Sequence, residues 1–211
     1  MQLSSIEIRV LGCLIEKEMT TPDYYPMTVN ALQAACNQKS NRSPVVDYTE
    51  VDVVQAVDGL REQGLARTVH GKGDRALKYR HVVTEALGLS NQQAAVLAVL
   101  LLRGPQTVGE IRTRTGRYVE FVSLADVAEQ LRHLQETEAP LVEMLVRRPG
   151  EKESRFRHLL GGDGSPGVSP AASVTPAAEQ GDDERVAELE RELAVLRDRV
   201  ARMERELGLD L

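Results

Sequence analysis

Residues 89–103 read LSNQQAAVLAVLLLR, and residues 3–17 read LSSIEIRVLGCLIEK. Laid over one another they agree in kind at Leu3/Leu89, Ser4/Ser90, Val10/Val96, Leu11/Leu97, Leu14/Leu100 and Lys17/Arg103. Both stretches open with a helix start signal. Ser4 has Glu7 three residues on, and Ser90 has Gln93. At that spacing a capping hydroxyl and a reciprocal acceptor satisfy two backbone N–H groups that the helix itself cannot. The chain spells one helix twice, and the copy extends beyond it.

MTVNALQAACN (27–37) answers QTVGEIRTRTG (106–116), pairing Thr28 with Thr107, Val29 with Val108 and Leu32 with Ile111. The two threonines are predicted N-caps, and Asn37 and Gly116 suit left-handed C-terminal positions. TEVDVVQAVDGL (49–60) answers SLADVAEQLRHL (123–134), with Thr49/Ser123 as caps and Asp52/Asp126 in the first turn. Val53, Val57 and Leu60 match Val127, Leu131 and Leu134, the spacing of one helix face. Two β runs then close each unit: 65–70 with 77–83, and 141–148 with 154–160. Tyr79-Arg80-His81 corresponds to Phe156-Arg157-His158. Helix, helix, helix, hairpin is the order of a winged helix. The expected fold is mainly α with small β-hairpins (α+β): tandem winged-helix domains over 1–84 and 85–160. The segments between the second and third helices, QKSNRSPVVDY (38–48) and RYVEFV (117–122), exceed a tight helix-turn-helix joint. They leave room for a short strand.

An apolar fraction of 42% in 211 residues suffices for buried cores, although aromatic residues make up only 3%. Leu, Val, Ile and Ala must therefore supply the packing. Residues 1–160 carry as many acidic as basic side chains, so the net charge of −6 lies wholly in 161–211. A basic nucleic-acid binder normally shows positive excess in its folded body, so any such surface here is local. Glu7, Glu16 and Glu18 stand where a signal peptide needs a basic start and an apolar run. No stretch reaches the roughly 18 apolar residues of a membrane span. Cys13 and Cys36 fall on apolar helix faces and read as core thiols. The expected setting is cytoplasmic.

Residues 161–181, rich in Gly and Pro and without aromatics, read as a disordered linker. Residues 182–211 read as a coiled-coil helix. Val186, Leu189, Leu193, Leu196, Val200, Met203 and Leu207 alternate at spacings of three and four without a break. With Val186 at position a, the pairs Arg185–Glu190, Glu192–Arg197 and Arg199–Glu204 are all attractive in a parallel dimer. A homodimer through this seam is expected. The alternative is a helix that folds back on the body.

No catalytic constellation is legible. His70, His81, His133 and His158 are scattered, with no Cys or Glu at metal-ligand spacing. The expectation is a non-enzymatic protein without metal or cofactor. Gly71-Lys72-Gly73 sits between two strands, which marks a hairpin turn rather than a phosphate loop. His81 and His158 share a strand position, which suggests a repeated structural role. Ala94 begins nine apolar residues in succession, the mark of a helix buried on all sides, between the units.

Two functional readings stand side by side. Winged helices commonly place the third helix in the DNA major groove. Here that helix presents carboxylates outward: Asp52, Asp58 and Glu62 in the first unit, Asp126, Glu129 and Glu136 in the second. Phosphate contact needs cations, and these lie elsewhere. The joint offers Lys39 and Arg42. The first hairpin offers Lys72, Arg75, Lys78 and Arg80, and the second Arg147, Arg148, Lys152, Arg155 and Arg157. Arg112, Arg114 and Arg117 lie in or just beyond the second helix of the second unit. The first reading is therefore backbone contact with nucleic acid, DNA above all, through wings and joint. The second is a protein-interaction scaffold that uses the acidic third helices, the coiled coil and Tyr24 and Tyr25 of TTPDYYP (20–26).

LGCLIEKEMTTPDYYP, ACNQKSNRSPV, LLLRGPQTVGEIRTRT and RRPGEKESRFRHL, followed by a Gly/Pro tether and a terminal coiled coil, resemble the YceH-like family of uncharacterised bacterial proteins. The likeness is close over 1–160 and holds for the tail only in kind. It implies a tandem winged-helix fold in a bacterial cytoplasm. It brings no activity and no functional residues with it.

Overall fold

The computed structural model describes residues 2–71, 76–147 and 150–161. The described residues all belong to one compact unit. Apart from Gly161, the linker and the coiled-coil segment lie outside the described residues, as do Lys72, Arg75 and Arg148. The order is α1 (Ser5–Thr20), a single 3-10 turn (Pro22–Tyr24), β1 (Met27–Thr28), α2 (Val29–Cys36), α3 (Glu50–Glu62), β2 (Ala66–Val69) and β3 (Lys78–His81). There follow α4 (Val83–Leu87), α5 (Asn91–Arg103), α6 (Val108–Thr115), α7 (Leu124–Gln135), β4 (Val142–Met144) and β5 (Phe156–His158). The described chain is thus α+β, with seven helices and two small antiparallel sheets. None of these helices is long and apolar enough to cross a membrane.

The caps explain where the helices begin. Ser4, Thr49, Ser90, Thr107 and Ser123 each close a reciprocal capping box with the residue three positions on, and Thr28 accepts from the backbone N–H of Ala31. Each cap of this kind is worth about 1 kcal/mol. The predicted left-handed C-terminal residues do not occur. Asn37 has φ −89°, because its side chain is bonded to both backbone polar groups of Tyr48. Gly116 stays right-handed at φ −57°, and the chain turns as Tyr118 and Val119 donate to the Thr115 carbonyl.

The two repeated helices, α1 and α5, lie against each other at the centre of the unit. Residues 94–102 are all buried, as the apolar run demands. α1 is equally enclosed from Ile8 to Glu16, although that stretch includes Arg9 and Glu16. The helices touch at Gly12, where an added Cβ would come within 2.9 Å of Leu102 Cγ. The alignment that pairs Leu11 with Leu97 places Gly12 opposite Ala98 in the copy, so a small residue stands at the same point of both helices. α3 packs on α1, and α7 on α5. Fully buried Leu11, Leu14, Leu97, Leu100, Leu60 and Leu131 fill the space between, each contributing about 1.5–3 kcal/mol.

Both predicted hairpins pair. β2 and β3 run antiparallel with Ala66 opposite His81, and β4 and β5 with Val142 opposite His158. The second ribbon is shorter than its apolar pattern suggested, at three residues a strand. The sequence did not announce β1, where Met27 pairs with Tyr79. Its counterpart is one bridge at the same point of the copy: Gln106 and Phe156 exchange two backbone hydrogen bonds of 3.0 and 2.8 Å. In both halves of the described chain, then, a backbone pairing ties the start of a short helix to the following ribbon. No strand forms between α2 and α3. The polar groups of this joint are taken by side chains and by α5: Arg9 Nη2 donates to the Pro44 carbonyl at 2.6 Å, and Ser43 N–H to the Leu102 carbonyl at 2.9 Å.

Candidate functional site

The cations singled out from the sequence do not share one environment. Arg42 must be struck from any binding surface. Its side chain is fully buried and ion-paired to Glu16, with further hydrogen bonds to the carbonyls of Ala35 and Asn41. It holds the joint on α1. Arg80, Arg155 and Arg157 are part-exposed, but each is matched to a carboxylate: Arg80 to Glu85, Arg155 to Glu110 at 2.8 Å, and Arg157 to Glu143. Lys39, Arg147 and Lys152 are exposed, with Arg147 Nη1 donating to the Lys152 carbonyl at 3.2 Å. Lys78 lies in β3 between Thr28 and Val69. Lys72, Arg75 and Arg148, and the seam from Val186 to Leu207, lie outside the described residues.

The third helices keep their acidic character. Asp58 is bound by Arg61 and Glu136 by Arg132, while Asp52 and Asp126 cap their own helices. Capping holds both aspartates below the usual carboxylate range. The tyrosines of TTPDYYP divide. Tyr24 is exposed, while Tyr25 is packed, its hydroxyl accepting from the His81 backbone N–H at 2.7 Å. His81 is buried, its Nδ1 facing the Val83 N–H and its Nε2 within 2.7 Å of Glu18. Burial lowers its pKa against the opposing charge of Glu18. Burial, aided by Arg157, lowers His158 to about 4. Cys13 and Cys36 are buried free thiols.

A cleft of about 650 Å³ opens where the end of α1, the joint and the turn after α6 meet. Its floor is Glu16, only 2% exposed. Glu16 accepts from Arg42 and, at 3.0 Å, from the Tyr118 hydroxyl, with Arg117 at 3.5 Å. Burial alone would raise this carboxyl. Arg42 and Tyr118 outweigh that and hold it below the ordinary range. Lys17, Lys39, Asn41 and Arg117 stand around the floor. Arg103 at the end of α5 donates to the Asn41 side-chain oxygen. Its pKa is lowered by burial and then by the charges of Arg114, Arg117 and Arg42. The cleft thus joins residues from both repeats.

Sequence reading singled out Lys39, Arg42, Arg114 and Arg117 as separate surface cations and overlooked Glu16, Lys17, Arg103 and Tyr118, and with them the group. One signal could have found it. Arg9 and Glu16 stand two turns apart at either end of the apolar run 10–15, and charges on an apolar face need buried partners.

A family profile described as "Protein of unknown function, DUF480" matches residues 3–151. The chain belongs to this family. A "UPF0502 protein" from Geobacter metallireducens is 52% identical over 195 residues, covering 90% of this chain and 88% of its own. One from Pelobacter propionicus is 50% identical over 208 residues, covering 97% and 94%. One from Shewanella amazonensis is 46% identical over 204 residues, covering 95% and 96%. The resemblance to YceH-like bacterial proteins agrees with DUF480 membership. Neither the DUF480 description nor these names state an activity.

Proposed function

We propose that this chain is a non-enzymatic pair of winged-helix modules that associates with the phosphate backbone of nucleic acid, followed by a coiled-coil helix that pairs it with a second copy. The repeated order of three helices and a ribbon carries this reading, with its repeated strand contact (Met27 to Tyr79, Gln106 to Phe156). Arg147 and Lys152, exposed in the second hairpin, together with Lys39 in the joint, are the proposed contacts. The carboxylates on α3 and α7 argue against base reading by those helices, because pressing them into a groove costs electrostatic energy. The proposed setting is the bacterial cytoplasm, where buried free thiols such as Cys13 and Cys36 remain reduced.

Fluorescence anisotropy with short duplex DNA over a salt series tests this. Each phosphate contact adds about 0.9 to the slope of log affinity against log salt. The double variant Arg147→Glu/Lys152→Glu should weaken binding and flatten that slope. Wild-type binding without salt dependence would sink the reading. Sedimentation equilibrium checks the pairing, and a monomer at every concentration would remove it.

A second reading is favoured by exposed apolar side chains. Met144 and Val146 lie in or next to the second ribbon, 55% and 92% exposed, and Val122 before α7 is 83% exposed. Such residues suit a protein-docking scaffold. Affinity purification with and without nuclease separates the two: partners that survive nuclease favour the scaffold.

A further inference from the structure

Charge is unevenly matched around the cleft between α1, the joint and α6. Glu16 is already bound by Arg42, its buried ion-pair partner. Glu110, the nearest carboxylate to Arg114, at 3.9 Å, is bound more closely by Arg155 at 2.8 Å. Lys17 and Lys39 have no ion-pair partner among the described residues, and Arg117, 60% exposed, reaches Glu16 only at 3.5 Å. Four guanidinium groups, those of Arg42, Arg103, Arg114 and Arg117, stand close enough for three of them to depress the fourth. Like charges gathered this way repel, and they cost stability unless an anion offsets them.

The polar geometry is also set. Asn41 is held in the left-handed region at φ 61°, and its side-chain oxygen is fixed by Arg103. That leaves its NH₂ as a donor without a protein acceptor among the described residues. A planar guanidinium (Arg117), two ammonium groups (Lys17 and Lys39) and an oriented amide suit the tetrahedral oxygens of phosphate. A volume of about 650 Å³ is that of a small-molecule site rather than of a single-ion contact.

We propose that this cleft binds a small phosphorylated ligand carrying two or more negative charges, gripped by Lys17 and Lys39 from the first repeat and Arg117 from the second. Its occupancy fastens the two repeats together across the α1–α5 contact. The site shares Lys39 with the contacts proposed for nucleic acid and has none of the hairpin residues, so changes at Arg147 and Lys152 test the nucleic-acid reading without touching the cleft.

Calorimetric titration of the full-length protein with inorganic pyrophosphate, at low and high salt, is the test. Saturable binding is expected, together with a higher unfolding temperature. The variant Lys39→Ser/Arg117→Ser should lose about tenfold or more in affinity, because it removes two of the three cations that grip the anion. Both side chains are exposed and their removal relieves like-charge repulsion, so the unliganded variant should unfold no lower than the wild type. Arg147→Glu/Lys152→Glu should bind pyrophosphate as the wild type does. Three results would overturn the proposal: no heat of binding at millimolar pyrophosphate, binding that the cleft variant leaves unchanged, or displacement by duplex DNA with equal loss of both ligands in the cleft variant. The last would make the cleft a backbone grip.

Discussion

Glu16 shows how far one side chain can act. Its carboxylate holds Arg42, and Arg42 holds the carbonyls of Ala35 and Asn41 that shape the joint. Removing one member of a buried ion pair leaves the other charge without compensation, at a cost of about 3–5 kcal/mol. Glu16→Gln should therefore lower the urea midpoint by that equivalent. Replacing an exposed pair such as Arg132 and Glu136 should cost under about 1 kcal/mol. Equal effects from the two changes would contradict the role assigned to Glu16. The sequence displays both residues as ordinary charges. Arg42 in particular reads as a surface cation among Lys39, Ser40 and Asn41, because nothing local marks which of these neighbours turns inward.

Among the elements, the pairing of α1 with α5 bears most on stability. Gly12 allows the approach, and its absent Cβ is the space that Leu101 and Leu102 use. A larger residue must push these helices apart, and overpacking of this kind costs about 1–3 kcal/mol. Gly12→Val should lower the midpoint accordingly. Gly109→Ala, near the start of α6, meets only Thr107 Oγ1 at 3.9 Å and should be neutral or mildly stabilising. Thermal unfolding of both variants is the check, and a Gly12→Val protein as stable as wild type would mean that the contact is loose. The apolar run of α5 announced its enclosure. The matching enclosure of α1 was hidden, because Arg9 and Glu16 give that helix an amphipathic look.

The whole described unit should be acid-sensitive, and the sign follows from its titrating groups. His81 and His158 have folded pKa values below the unfolded 6.5, so the unfolded chain takes up their protons first. Their contribution is complete above pH 6.5 and is lost as pH falls toward about 4, where His158 titrates in the fold. Glu16 and Glu110 are held below 4.5, so their contribution is present above that pH and disappears below it. Urea midpoints should stay level above pH 6.5 and fall from there to pH 4. His158→Gln should reduce the slope between pH 6.5 and 4, and an unchanged slope would exclude His158 as a source.

Read alone, the sequence determined the order of helices and ribbons, the positions of the caps, the pairing of the two ribbons and the burial of α5. These depend on residues three or four apart in a helix, or on alternation along a strand, and such neighbours are visible in the chain itself. It was silent on the strand at Met27, the fate of Arg42 and the cleft above Glu16. Those depend on partners far away along the chain: Tyr118 meets Glu16 across 102 positions. Whether a charge is solvated or buried is decided only when distant segments exclude water from it, and only the tertiary structure brings them together.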